Sequence, residues 1–153
     1  MLSIRAFEGE ADLEGLVWLE NALHGSQVSI DELRFRLQTR ASDLAWVRLL
    51  ALWDWRIVGA IDATQKPYPW MDRAEVTVSV RPDHRRLGIG RALVSALEAH
   101  LHGLGGQLML AYTGEFDVDY NHFLWRMGFV EIFRGYPQYL PLRSVNLEQI
   151  RVD

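Results

Sequence analysis

Glu75-Val76-Thr77-Val78-Ser79-Val80-Arg81-Pro82-Asp83-His84-Arg85-Arg86-Leu87-Gly88-Ile89-Gly90-Arg91-Ala92-Leu93 is the stretch whose reading decides the fold. Its first part alternates: Val76, Val78 and Val80 fall on one side, Glu75, Thr77 and Ser79 on the other, the period of a half-buried strand. Its last part opens a helix in which Ile89, Leu93, Ala96, Leu97 and Leu101 make one apolar stripe, ended by the glycine-rich residues 103–106. Between them, Arg85-Arg86-Leu87-Gly88-Ile89-Gly90 has the composition of an anion cradle. Glycine lets backbone approach a ligand, and the first turn of a helix offers unpaired N–H groups with partial positive charge. Arginines beside it can add charge-assisted bonds to phosphate oxygens. No Gly-Lys-Ser/Thr follows, so this is not a P-loop, and the third glycine of a dinucleotide fingerprint is missing.

Outward from this stretch the same periodicities predict strands at residues 2–7, 44–53, 56–63, 74–80 and 107–112, with a final pair at 129–133 and 138–142. Helices are expected at 8–24, at 29–39 behind a Ser29/Glu32 capping box, from Gly88, and at 118–127 behind Asp117 as N-cap. In the last of these, Tyr120, Phe123, Leu124 and Met127 point inward. The two-residue gap Asp54-Trp55 suggests a hairpin, and residues 65–71, with two prolines, read as a loop. The order β-α-α-β-β-β-α-β-α-β-β describes a mixed α/β (α+β) domain rather than strict βαβ alternation. Residues 1–142 form one domain in this reading, and 143–153 form a tail without an assigned role.

Composition narrows the class. The chain has 153 residues, 49% apolar and 24% charged, enough for a single domain with a real core. Its net charge of −4 argues against a dedicated nucleic-acid binder. Apolar runs such as Leu49 to Trp53 fall far short of the ~18 residues of a membrane span, and no basic-then-apolar leader opens the chain. With no cysteine, disulfides, cysteine–zinc sites and thiol nucleophiles are excluded. A cytoplasmic domain is expected. Within this acidic chain, Arg81, His84, Arg85, Arg86 and Arg91 cluster in eleven residues, a patch suited to a small polyanion.

At this point the chain resembles a family. The run from Val78 to Leu93 is similar to the acetyl-CoA-binding motif of the GNAT superfamily of N-acetyltransferases, whose core is Arg/Gln-x-x-Gly-x-Gly/Ala preceded by Val-x-Pro. Met127-Gly128-Phe129 matches the Gly-Phe after that family's last helix, and Ile57-Val58-Gly59 its usual Val-Gly in the third strand. The resemblance implies a mixed, largely antiparallel sheet with a splayed pair of strands and helices on both faces. It implies acetyl-CoA as cosubstrate and direct attack of a primary amine, on a small molecule or a peptide N-terminus, on the thioester. It also implies that the strand before the motif bulges, that Val78, Ser79 and Val80 hold the pantetheine arm through backbone groups, and that Arg85, Arg86, Leu87, Gly88, Ile89 and Gly90 hold the pyrophosphate. Asp117 stands where the family has a cofactor-touching asparagine.

The departures concern catalysis. Many family members carry a proton-donating tyrosine four residues before the Gly of Gly-Phe; here that residue is Leu124. Tyr120, one turn earlier, and Tyr112, at the end of the preceding strand, are the alternative acids, although an inward Tyr120 also suits a core. Glu75, on the polar face of its strand, is the candidate base. Trp70 and Asp72, in the proline-bounded loop, are the candidate substrate contacts for a cationic amine. Five scattered histidines without ligand spacing argue against a metal. Leu124 also keeps open a second reading: a non-catalytic CoA-binding or regulatory module, or half of a tandem pair, which Phe123-Leu124 resembles. No nucleic-acid or membrane partner is expected; family resemblance makes a homodimer through the late strands conceivable.

Overall fold

Alternation of apolar and polar residues builds five strands in the computed structural model, which describes residues 1–25, 27–40, 45–65, 73–103 and 108–135. They are β1 (Leu2–Ala6), β2 (Trp46–Trp53), β3 (Arg56–Gln65), β4 (Arg73–Val80) and β5 (Leu108–Ala111), side by side in chain order. The first four pair antiparallel, and β5 runs parallel to β4. The β2–β3 hairpin turns at Asp54 and Trp55, both at positive φ (47° and 71°), the backbone that a two-residue hairpin with matching twist requires.

Among the described residues four α-helices cover this sheet: α1 (Leu13–His24), α2 (Ile30–Gln38), α3 (Ile89–Gly103) and α4 (Val118–Arg126). One face of the sheet, with Leu49, Ala51, Val58, Ile61 and Val76, packs under Ile89, Leu93 and Leu97 of α3. The other face, with Leu50, Leu52, Ile57 and Ala60, packs under Leu13, Leu16 and Leu19 of α1 and Leu33 of α2. Burying each such leucine contributes about 1.5–3 kcal/mol. Ser29 caps α2 by accepting from the Glu32 amide at 3.1 Å, as its sequence suggested. No helix among the described residues is long and apolar enough to cross a membrane.

Three expectations need correction. The first helix begins at Leu13, not at residue 8, because Gly9–Asp12 forms a 3-10 turn. That turn brings Asp12, 3% exposed, against Arg5, whose Nη1 donates to Oδ2 at 2.8 Å, while the Glu8 amide donates to the same oxygen at 2.7 Å. Residues 129–133 are not a strand. Val130, Ile132 and Phe133 are exposed, and the segment pairs with no strand among the described residues; alternation specifies two faces, but a strand exists only with a partner backbone. The family bulge is also absent from β4, which keeps unbroken register with β3 from Gln65↔Ala74 to Gly59↔Val80. The sheet's irregularity instead falls between Ala51 and Leu52 of β2. The expected strand at 138–142, the tail at 143–153, and Trp70 and Asp72 lie outside the described residues.

The Arg5 guanidinium holds the Asp12 carboxyl below its ordinary value of 3.8, against the opposing effect of burial. A depressed folded-state pKa contributes stability that is complete above the ordinary value and lost as pH falls below it. Replacing Asp12 by Asn is expected to cost about 1.5–3 kcal/mol at pH 7, read from urea unfolding. The gap between the two proteins should narrow between pH 5 and 3.

Candidate active site

The site begins where the β4–β5 ladder ends. Pairing runs only from Arg73↔Leu108 to Val76↔Ala111, after which β4 continues alone to Val80. Beyond β5 the chain turns away, with the Asp117 amide and the Asn121 side-chain amide both donating to the Gly114 carbonyl, at 3.1 and 3.0 Å. Which backbone groups face this opening follows from ladder phase. The Arg81 amide donates to the Val58 carbonyl at 2.9 Å, and bonded pairs alternate along an antiparallel ladder. Glu75, Thr77 and Ser79 therefore turn their N–H and C=O groups to β3. Val76, Val78 and Val80 turn theirs to the other edge, and for Val78 and Val80 no strand lies there among the described residues. The side chains of Val78 and Val80 meanwhile pack against the α3-side core. Ser79, grouped with them from sequence, has its backbone paired with Ala60 of β3.

At the end of β4 the chain makes the short 3-10 turn Pro82–His84 and then the loop that opens α3. Arg86 and Gly88 both adopt positive φ (66° and 82°). The Gly88 carbonyl accepts the first helical bond, from Ala92 at 3.0 Å. The amides of residues 86–91 meet no acceptor among the described residues, and Arg86, Leu87 and Gly88 are exposed. Consecutive unpaired amides at a helix N-terminus, with alternating left-handed residues before it, form an anion-binding concavity. Nothing lies within 4 Å of where a Gly88 Cβ would stand, so the space above the loop is open.

The basic cluster divides in two. Arg81 stacks 3.3 Å from the centroid of the Trp18 ring of α1, donates to the Trp18 carbonyl at 3.4 Å, and forms a two-pronged pair with Asp83, both bonds 3.0 Å. His84 Nδ1 lies 2.9 Å from Asp83. Arg81 first, then His84, hold the Asp83 carboxyl well below the usual carboxylate range. Arg81 and His84 thus brace the loop, and Arg85, Arg86 and Arg91 are the exposed cations beside the amides. Arg85 Nε also donates to the outward Val80 carbonyl at 3.2 Å.

Helix α4 closes the opening from the α3 side. Asp117 caps it, accepting from the Tyr120 amide at 3.4 Å. Its C-terminus is a Schellman stop: Gly128, at φ 88°, donates to the Trp125 carbonyl and Phe129 to the Leu124 carbonyl, both at 3.0 Å. The Gly-Phe pair recognised in the sequence therefore has a backbone reason. Leu124 is 5% exposed and belongs to the packing. Tyr120, four residues earlier on the same helix face, reaches the opening: its hydroxyl oxygen accepts from the Val78 amide at 3.4 Å. Burial raises the Tyr120 pKa, with the Asp117 charge adding to it and the Val78 amide opposing, so the hydroxyl keeps its proton at neutral pH. The Tyr120 ring stacks on Phe123, centroids 6.2 Å apart. Phe123 in turn lies over Gly90, where a Cβ would stand 2.9 Å from Cε2.

On the α1/α2 side of the sheet, register places Trp46, Thr64 and Glu75 in one row and Arg48, Asp62 and Thr77 in the next. Tyr112 joins them, its hydroxyl donating to Glu75 Oε1 at 3.4 Å. Two candidate residues from sequence, Glu75 and Tyr112, are therefore brought together. The platform around them was missed, because its members share a face only once strand register is known. Among the described residues no group of His, Asp or Glu is placed to hold a metal ion.

The acetyltransferase (GNAT) family profile matches residues 12–129, and the chain belongs to that family. No curated protein matches it at a significant level. Among solved structures it is similar to the aminoglycoside N-acetyltransferase AAC(6')-Iy in complex with the bisubstrate analogue CoA-S-monomethyl-acetylneamine, at TM-score 0.74 and 18% identity, over 92% of this chain and 99% of that one. It is also similar to a Trypanosoma brucei acetyltransferase (TM-score 0.73, 23% identity, 92% and 100% covered). A third is the ribosomal-protein-alanine N-acetyltransferase of Brucella melitensis (0.74, 19%, 92% and 100%). At these identities the likeness shows the fold, including the mixed five-stranded sheet and its helices.

The contact between Gly90 and Phe123 yields a structural prediction. A Gly90→Ala substitution forces Phe123 to move and is expected to destabilise the protein by about 1–3 kcal/mol, as overpacking does. Because Tyr120 stacks on Phe123, the Val78 amide signal should shift in a 15N-correlation spectrum more than those of Val76 or Ile61.

Proposed function

We propose that the protein is an acetyl-CoA-dependent N-acetyltransferase acting on a primary amine. The observation that carries this reading is the combination of the unpaired amides of residues 86–91 with the outward-turned Val78 and Val80 backbone at the end of the β4–β5 ladder. An extended amide-bearing arm can add to that edge as a strand would, and a pyrophosphate suits the helix N-terminus. The bound CoA analogue named for the AAC(6')-Iy neighbour accords with this. Arg86, Leu87, Gly88, Ile89 and Gly90 contribute the amides in this reading, with Arg85 and Arg86 adding charge.

Acetyl-CoA, when bound, supplies an activated acetyl thioester; the acceptor nitrogen gains the acetyl group and CoA leaves as its thiol. Each proton step falls to residues of the chain. Glu75, on the platform beside Tyr112, takes a proton from the attacking ammonium, whose ordinary pKa is ~10.4. The Val78 amide faces the opening and exchanges its long bond to the Tyr120 hydroxyl oxygen for one to a developing oxyanion. Tyr120, protonated and 3.4 Å from that amide, gives its proton to the departing thiolate, and the second proton shed by the acylated nitrogen restores the Tyr120 hydroxyl. This gives Tyr120 the work that Leu124 cannot do, which favours a catalytic domain over a CoA-binding module without chemistry. Asp117 acts by capping α4 and so setting the Tyr120 position.

Two measurements test the reading. A thiol-release assay across a panel of amines, with acetyl-CoA binding followed by calorimetry, should show amine-dependent turnover. Tyr120→Phe and Glu75→Gln should each lower kcat by about 10²-fold, the lower end of general acid–base effects, while acetyl-CoA still binds. Unchanged turnover removes the substituted residue from the mechanism. Separately, Gly88→Val places a branched side chain at φ 82° over the cradle and should weaken acetyl-CoA binding by about tenfold or more. Normal affinity in the folded variant would overturn the cradle.

A further inference from the structure

Around Trp46, on the same face as Glu75, lie two guanidinium groups, of which only one is paired with a carboxylate. Arg40, just after the Thr39 cap of α2, lies 4.1 Å from the Trp46 ring centroid, and Arg48 lies 5.3 Å from it. Asp62 is fully engaged with the second: Arg48 Nε donates to Oδ1 at 2.8 Å and Nη2 to Oδ2 at 3.1 Å, while Trp46 Nε1 also donates to Oδ1 at 3.0 Å. Arg48 Nη1 is buried with no hydrogen-bond partner. Arg40 has no carboxylate partner among the described residues; its one hydrogen bond is from Nη2 to the Thr64 hydroxyl, at 3.4 Å. Desolvation, with the nearby Arg48 charge adding to it, lowers the Arg40 pKa against the attraction of Asp62. Arg48 and Asp62 thus pair with each other, and Arg40, exposed at the surface and held over the Trp46 ring, is left without a bonded carboxylate among the described residues, an arrangement open to an anion.

The position of that charge gives it meaning. Thr64, which Arg40 touches, is directly opposed to Glu75 on the neighbouring strand, a cross-strand step of about 5 Å between Cβ atoms. Both side chains lie on one face of the sheet. The Arg40 guanidinium therefore bonds the residue directly across from Glu75, the carboxylate assigned to the acceptor's amine, without itself being bonded to that carboxylate.

We infer that the acceptor carries an oxyanion as well as its amine, and that Arg40, backed by Trp46 and seconded by Arg48, is the residue that selects it. A carboxylate makes the acceptor amino-acid-like; a phosphate monoester offers the same chemistry. Guanidinium binds either in the two-pronged manner that an ammonium cannot. Glu75 faces the amine and Arg40 the anion, so the platform reads a zwitterion across the β3–β4 pair. The inference rests on the acetyl-transfer reading above and narrows its substrate class.

The test uses acceptors that differ only by the anion: β-alanine against ethylamine, lysine against 1,5-diaminopentane, and O-phosphoethanolamine against ethanolamine. Thiol release gives kcat/KM for each in the wild-type protein and in Arg40→Gln and Arg40→Lys. The anionic member of at least one pair should exceed its partner by about tenfold or more, the range of one charged hydrogen bond. That ratio should fall to within about twofold of unity in Arg40→Gln and recover in part in Arg40→Lys. A carboxylate preference and a phosphate preference distinguish the two sources. Equal turnover within every pair, or a preference that survives Arg40→Gln, overturns the inference while leaving acetyl transfer intact. If acetyl-CoA binds yet no amine is acetylated, the catalytic reading fails, and the inference is then decided by binding. β-Alanine, lysine and O-phosphoethanolamine are titrated onto the CoA complex and followed by tryptophan fluorescence. A saturable change that disappears in both Trp46→Phe and Arg40→Gln supports the anion site, and its absence in the wild-type protein overturns it.

Discussion

Parallel pairing between β4 and β5 stops at Val76↔Ala111, and the local chemistry of the site depends on that stop. A strand edge has N–H and C=O groups that must be matched by another strand, by water or by a ligand. Ladder phase turns the Val78 and Val80 groups toward the unpaired side while their side chains stay in the α3-side core. Binding capacity and core packing therefore use different atoms of the same residues. Had the phase been shifted by one, Thr77 and Ser79 would present backbone to the opening and the valines would lose their burial. The apolar alternation of β4 thus holds the functional edge in register without placing any polar side chain in it.

Features with a local cause were legible in the sequence. The strand–loop–helix run through Gly90, the Ser29 cap, the two-residue hairpin and the Gly128 helix stop each depend on residues close together in the chain. The part that failed depends on partners. Residues 129–133 have the alternation of a strand but pair with none among the described residues, and residues 8–12, read as the start of the first helix, turn more tightly and bring Asp12 under Arg5. Tyr112 and Glu75 were each visible as candidates, but not their contact, because Glu75 pairs with Leu110 and reaches Tyr112 only through the parallel register. Trp46, Asp62 and Thr77 gave no functional signal of their own, since their common face is a property of three strands together.

Leu124 and Tyr120 divide one face of α4 between packing and the opening. They are four residues apart, so they lie on one face separated by about 6 Å of rise. The apolar residue takes the deeper place, nearer the Schellman stop, and the tyrosine takes the place nearer the N-cap and the end of the β4–β5 ladder. Gly90 permits this by leaving room for Phe123, on which Tyr120 stacks. A motif position and a spatial position are therefore different quantities: the motif's tyrosine position carries Leu124, while the hydroxyl that meets the Val78 amide belongs to Tyr120.

Charge is distributed by the same logic. The chain is acidic overall, yet its arginines determine both ends of the site. Where an arginine braces structure it is given a carboxylate: Arg5 has Asp12, Arg81 has Asp83, and Arg48 has Asp62. Arg85, Arg86 and Arg91 flank unpaired amides, and Arg40 rests on Trp46 with only a hydroxyl for a partner. The Asp83 and Asp62 carboxylates mark which cations are structural, because each lies in a hydrogen-bonded pair whose other members belong to the scaffold. Among the cations without such a carboxylate, Arg85, Arg86 and Arg91 lie beside the α3 amides, and Arg40 lies on the sheet face that carries Glu75. In the proposed reading an anion at either place would meet a cation that has no bonded carboxylate, so the two ends of the site would answer to the same physical demand.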